Sequence, residues 1–166
     1  MYQPFPRHKF ESIKRELWFQ ELAEHIRPQA ESQPYVTDLA RAAELPQQAR
    51  ALHFLWMFYA EVGGNGIECF LLEPQGLFAP QAHEALRLVG ASGLVERLEA
   101  GIPHALESGV AEYSAGPDVT WFRQFRTNPK YPTLQSVDAD IYVLAGDDLR
   151  KKANVFIEAQ RGVLVV

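Results

Sequence analysis

The chain has 166 residues, 47% hydrophobic and 22% charged, with a net charge of −5 at neutral pH. That balance fits a globular chain with a core and excludes a disordered one. A single cysteine, Cys69, excludes an internal disulfide framework, and no apolar run approaches the roughly 18 residues of a membrane helix.

Met1 to Lys9 has no apolar segment and carries Pro4 and Pro6, so it does not read as a secretory signal. Phe10, Ile13, Leu17, Trp18, Leu22 and Ile26 recur at helical spacing and predict an amphipathic helix over 10–26, with Pro28 beyond its end. Gln29 to Pro34 reads as a connector. Asp38 to Leu45 reads as a short helix capped by Thr37. Pro46 suits the first turn of the next helix.

That next helix organises the chain. Leu52 to Tyr59 is apolar on almost every side, which places it inside a core. Gly63, Gly64, Asn65 and Gly66 then form an elbow able to stop and redirect it. Ile67 to Leu72 follows as a short second helix, closed by Pro74 and Gly76. Pro80 opens another helix and Gly90 ends it. Ser92 caps a helix whose inner face is Leu94, Val95, Leu98, Ile102 and Ala105, and Pro103 is expected to kink or split it. Asp118 to Phe125 adds a turn or two. Leu134 to Gln160 carries Ile141, Leu144, Leu149, Ala153, Phe156 and Ile157 at helical spacing, with an interruption expected at Gly146. Val163 to Val166 is a short strand or a docked tail. The fold class is therefore all-α: one multi-helix bundle over 1–166 with a central buried helix.

Charge is unevenly spread. Residues 1–59 hold seven acids and seven bases, 60–120 nine acids and two bases, and 121–166 five acids and seven bases. An acidic central third disfavours direct binding of duplex nucleic acid, whose phosphates it would repel. Glu96, Glu99 and Glu107 lie near one helical stripe, where residues three or four apart sit about 5–6 Å from one another. Glu61 and Glu68 flank the elbow, and Glu73 follows it. These are ordinary solvated helix faces or a binding surface.

Single residues point more to architecture than to catalysis. Glu61 is expected partly buried, accepting hydrogen bonds from free amides of the elbow or of the following helix's N-terminus. Asn65 should hold a left-handed position or cap the next helix. His53 reads as a satisfied core histidine and Cys69 as a buried small hydrophobe. The five histidines form no metal-ligand motif. The elbow glycines lack the Lys-Ser/Thr of a phosphate loop. Trp121, Phe122, Arg123, Phe125, Arg126, Lys130 and Tyr131 interleave aromatics with bases. They read as aromatics packed inward with the bases solvated or paired to the acidic block; single-stranded nucleic-acid binding or a dimer contact are the alternatives.

Three stretches together resemble a known family. They are Leu45-Pro46 with the buried helix, Glu61 and the Gly64-Asn65-Gly66 elbow backed by Phe70; Ala85-Leu86-Arg87-Leu88-Val89-Gly90-Ala91; and Val137-Asp138-Ala139-Asp140-Ile141-Tyr142 followed by Asp148-Leu149 and Phe156-Ile157. In order and spacing they are similar to the bacterial DNA-mimic protein family, over about Leu45 to Gly162, with residues 1–44 as an N-terminal helical extension. Cys69 stands where that family usually has Gln, and Glu73 where it has Asn. The resemblance implies an all-helical homodimer that occupies the DNA-binding face of a transcription factor.

The resulting expectation is a cytoplasmic, non-enzymatic interaction module without cofactor or metal. Glu61, Glu68, Glu73, Glu96, Glu99 and Glu107 would engage a basic, DNA-binding protein partner. Its rivals are a small enzyme with a pocket near Glu61, Asn65 and Cys69, and a toxin-neutralising or scaffold protein with an apolar contact.

Overall fold

A computed structural model describes residues 1–33, 36–72, 77–107 and 120–166. The architecture is all-α. Helices α1 (Arg7–Phe10), α2 (Trp18–Ala30), α3 (Leu39–Ala43), α4 (Gln47–Leu72), α5 (Ala79–Leu88) and α6 (Ser92–Glu107) come first. After a 3-10 turn at Phe122–Gln124 come α7 (Leu134–Asp138), α8 (Ile141–Val143), a π-helical stretch at Leu144–Asp148, α9 (Leu149–Ala159) and α10 (Arg161–Leu164). Strands β1 (Glu31–Gln33) and β2 (Val36–Thr37) pair antiparallel. No helix among the described residues is long and apolar enough to cross a membrane.

Helix α4 is the axis of the core, as its composition requires. Ala51, Leu52, His53, Phe54 and Leu55 are all buried in succession, so every side of that turn meets another element. Helices α2, α5, α6, α7 and α8 all pack on α4. Gly101 lets α6 pass close to its far end, since a Cβ there would lie 2.8 Å from Ile67 Cγ2. The two ends of the chain meet: Phe5 and Val165 form a parallel bridge, and the Phe5 amide donates to the Leu164 carbonyl at 2.8 Å. The last residues are thus a docked tail closed by one helical turn, not a strand.

Several expectations are corrected. The helix expected over 10–26 is two pieces. The chain turns after Phe10, where the Ser12 hydroxyl donates to the Lys9 carbonyl at 2.7 Å, and returns so that Phe10 stacks on Trp18 with ring centroids 4.5 Å apart. Helix α2 then runs through Pro28 to Ala30 instead of stopping before it. A proline near the C-terminal end forgoes one amide bond and keeps a helical φ. The connector at 29–34 becomes the end of α2 and β1, with Pro34 outside the described residues. Asp38, not Thr37, caps α3: its carboxylate accepts from the Ala40 and Arg41 amides at 2.9 and 3.2 Å. Pro103 neither splits nor ends α6. The segment 134–160 breaks at Asp140, whose φ is 64°, as well as at Gly146.

Helix α2 has no side-chain cap of its own. Buried Asn154 supplies one from α9. Its Oδ1 accepts from the Phe19 amide at 3.1 Å and its Nδ2 donates to the Arg15 carbonyl at 2.9 Å. A free helix-end donor is thereby satisfied across the core.

The Thr37 hydroxyl is engaged elsewhere. It lies 3.0 Å from His53 Nε2 and donates to Met57 Sδ at 3.3 Å. With Nε2–H as the donor to Thr37, only the Nδ1 lone pair of the buried His53 is left bare. Burial, reinforced by the Arg27 charge, lowers the His53 pKa from 6.5 to about 4. The unfolded chain therefore takes up a proton below pH 6.5 that the folded chain refuses until about pH 4. The His53 contribution to stability should fall as pH drops through that window, by roughly 3 kcal/mol at most, and be constant above it. Urea titrations across pH should show a shallower acid slope for His53→Gln; an identical slope would contradict the assignment.

Candidate functional site

The elbow is one residue wide. Gly63, Gly64 and Asn65 are helical and exposed, and the chain turns at Gly66 alone, with φ 82° and ψ 172°. That φ is the left-handed side of the map, which glycine reaches without strain. The role expected of Asn65 therefore falls to its neighbour. Ile67 restarts the helix with a free amide, and the cap comes from 71 residues away: Asp138 Oδ1 accepts from Ile67 N at 2.7 Å.

Local structure fixes Asp138 in place. Thr133 and Ser136 form a reciprocal capping box at the start of α7. Val137 is buried beneath it. Asp138 then points at the elbow. A Cβ on Gly66 would lie 2.6 Å from Asp138 Oδ2 and 2.9 Å from its Cγ, so the carboxylate occupies the space glycine leaves. Burial raises the Asp138 pKa above the usual carboxylate range, and the Ile67 bond offsets only part of that. Sequence reasoning placed Asp138 inside a resembling stretch and gave it no role. The available signal was a helix restart at Ile67 preceded by Gly66, a residue with no side chain to cap it.

Glu61 is half-buried and does not lack a partner. The Ile67 amide nevertheless goes to Asp138. Cys69 is half-buried instead of buried. An open cavity lies elsewhere, between α5, α6 and the 3-10 turn, with a volume of about 730 Å³. At its wall His83 is buried, and its Nε2 lies 2.7 Å from Glu99 Oε1. Trp121 and Phe125 meet the His83 ring edge-on at 5.5 and 5.6 Å. Phe122 packs into the core, while Arg123 and Arg126 face solvent. The aromatics of this segment thus turn inward, as the residues predict.

The six acids meet different surroundings. Glu68 and Glu107 are exposed and make no ion pair with a described residue. Glu96 pairs with Lys130 at 3.1 Å, and Glu99 with His83. Glu73 lies outside the described residues. Glu84, absent from the expected set, is exposed on α5 and accepts from Gln47 Nε2 at 3.5 Å. Arg97, one of two bases in the acidic third, donates to the Ala139 and Gly93 carbonyls at 3.2 Å each. It makes no ion pair with a carboxylate among the described residues. Among the described residues no group of His, Cys, Asp and Glu could hold a metal ion.

The elbow generates a contrast. Gly66→Ala should cost roughly 1–3 kcal/mol, from positive φ and from the clash with Asp138. Gly63→Ala and Gly64→Ala, helical with open space where a Cβ would go, should stabilise by roughly 0.5–1 kcal/mol. Urea unfolding of the three variants checks this. Equal effects at the three positions would contradict a single-residue elbow.

The sequence comparisons bear on this arrangement. A family model described as DMP19-like protein matches residues 43–160. That span contains α4, the elbow, Asp138 and both walls of the cavity. No curated protein and no solved structure matches the chain. The chain belongs to the DMP19-like protein family.

Proposed function

We propose that this chain is a non-enzymatic, homodimeric interaction module of the cytoplasm whose acidic central segment engages a basic, DNA-binding protein partner. Membership of the DMP19-like family supports a DNA-mimic-like role. The observation that carries the reading is that Glu68, Glu84 and Glu107 are exposed and have no basic partner among the described residues. Carboxylates left unneutralised on a surface attract cationic groups, as phosphates do along a nucleic acid.

Glu96 and Glu99 can join them. Their side chains remain 43% and 41% exposed within their pairs. Exposed pairs contribute about 0–1 kcal/mol. A partner's arginine or lysine can therefore replace Lys130 at small cost, and can approach Glu99 from the side away from the buried His83. Glu61 borders the elbow, and Glu73 follows α4 in sequence at the edge of the same acidic third.

The test is capture from native cytoplasm by wild type and by the E68Q/E84Q/E107Q variant, at low and at high salt. Exposed Glu→Gln changes alter stability by only about 0.5 kcal/mol, so lost capture would reflect lost charge. Wild type should retain basic DNA-binding proteins at low salt and release them at high salt. The variant should retain few at either. Capture that ignores both salt and the three substitutions would overturn the reading.

A further inference from the structure

The cavity between α5, α6 and the 3-10 turn is unassigned, and its chemistry is one-sided. Its volume of about 730 Å³ falls in the range of small-molecule sites, about 300–1,000 Å³. Its charged lining is two glutamates, Glu84 and Glu99, against one arginine, Arg87, with His83 beside them. Arg87 makes no ion pair with either glutamate. Its aromatic wall is Trp121 and Phe125, their rings 4.8 Å apart at centroids and 66° inclined.

The hydrogen-bond inventory points the same way. Glu99 accepts from His83 through one oxygen and is 41% exposed, so its other oxygen is open. Glu84 and Glu99 thus offer carboxylate acceptors beside the Trp121 and Phe125 rings.

We infer that this cavity receives a guanidinium group, an arginine side chain of the basic partner. The inference rests on the interaction reading above for the source of that group. An anion would meet two carboxylates. A neutral apolar group would leave the carboxylates without donors. An ammonium ion satisfies acceptors but has no flat face. A guanidinium has five N–H donors in one plane and stacks on aromatic rings, so it serves Glu84 and Glu99 at its edges and Trp121 at its face. Its three-carbon stem would lie along Leu88 and Pro80, which also line the cavity, as does Gln124.

The probe is N-acetyl-arginine amide, titrated into the full chain and followed by the Trp121 indole N–H in heteronuclear NMR spectra. The uncharged control is N-acetyl-citrulline amide, which keeps the shape and loses the charge. Arginine amide should produce a saturable shift and citrulline amide should not. E84Q, on an exposed residue that the fold does not need, should weaken binding by about tenfold, as should E99Q. No saturable shift with arginine amide, or equal shifts with citrulline amide, would overturn the assignment. A saturable shift in a protein that captures no basic partner would keep the cavity as a cation site and sink the partner reading. Capture without a shift would do the reverse.

Discussion

One hydrogen bond holds the two halves of the central helix in their relative orientation. Helix α4 must turn at Gly66 to lay Ile67, Phe70 and Leu71 into the core, and turning exposes the Ile67 amide. Nothing on α4 caps that amide. The Asp138 carboxylate does, at 2.7 Å, from the far side of the sequence. The same carboxylate fills the space beside Gly66, so the turn and its cap determine each other. Asn154 repeats the device at the start of α2. Two helices of the N-terminal half are therefore finished by side chains of residues 134–160. The fold closes only when the C-terminal segment docks, and the bridge between Phe5 and Val165 follows the same logic at the chain ends.

The cost of the arrangement is visible in the electrostatics. Partial burial disfavours the ionised form of Asp138 more than one amide favours it, so its pKa rises. Such a group contributes most when protonated and less as pH climbs through its raised pKa. The geometry is kept because the alternative is an unsatisfied amide inside the core. His53 is the opposite case. It is a buried base held neutral, with stability present above its unfolded pKa and lost toward acid. Neither residue faces the large cavity, so both belong to the architecture.

What was legible in the sequence followed from periodicity and from glycine and proline. The all-round apolar turn at 51–55 could only be a core helix, and Gly66 and Gly90 mark its elbow and the stop of α5 with positive φ. What was illegible depended on distance. Asp38 against Thr37 was decided by His53 and Met57, which occupy the threonine hydroxyl. Pro28 and Pro103 stay inside helices because packing on α4 outweighs one missing bond. Asp138 and Asn154 had no local pattern to identify them, since their partners are 71 and 135 residues away. The candidate site divided similarly. The excess of acid over base in the central third was readable as charge. That Glu96 faces Lys130, that Glu99 faces His83, and that Gln81 and Trp121 share a cavity were tertiary facts.

The account turns on whether Asp138 holds the Ile67 amide in solution, and amide hydrogen exchange at single-residue resolution reads that directly. In Asp138→Ala the Ile67 amide should lose protection by about tenfold or more, while amides of the first half of α4, from Leu52 to Phe58, keep theirs relative to global stability. Asp138→Asn, which retains an acceptor, should restore most of the protection. Unchanged protection at Ile67 in the alanine variant would contradict the account, because the elbow would then be held by something other than the Asp138 side chain.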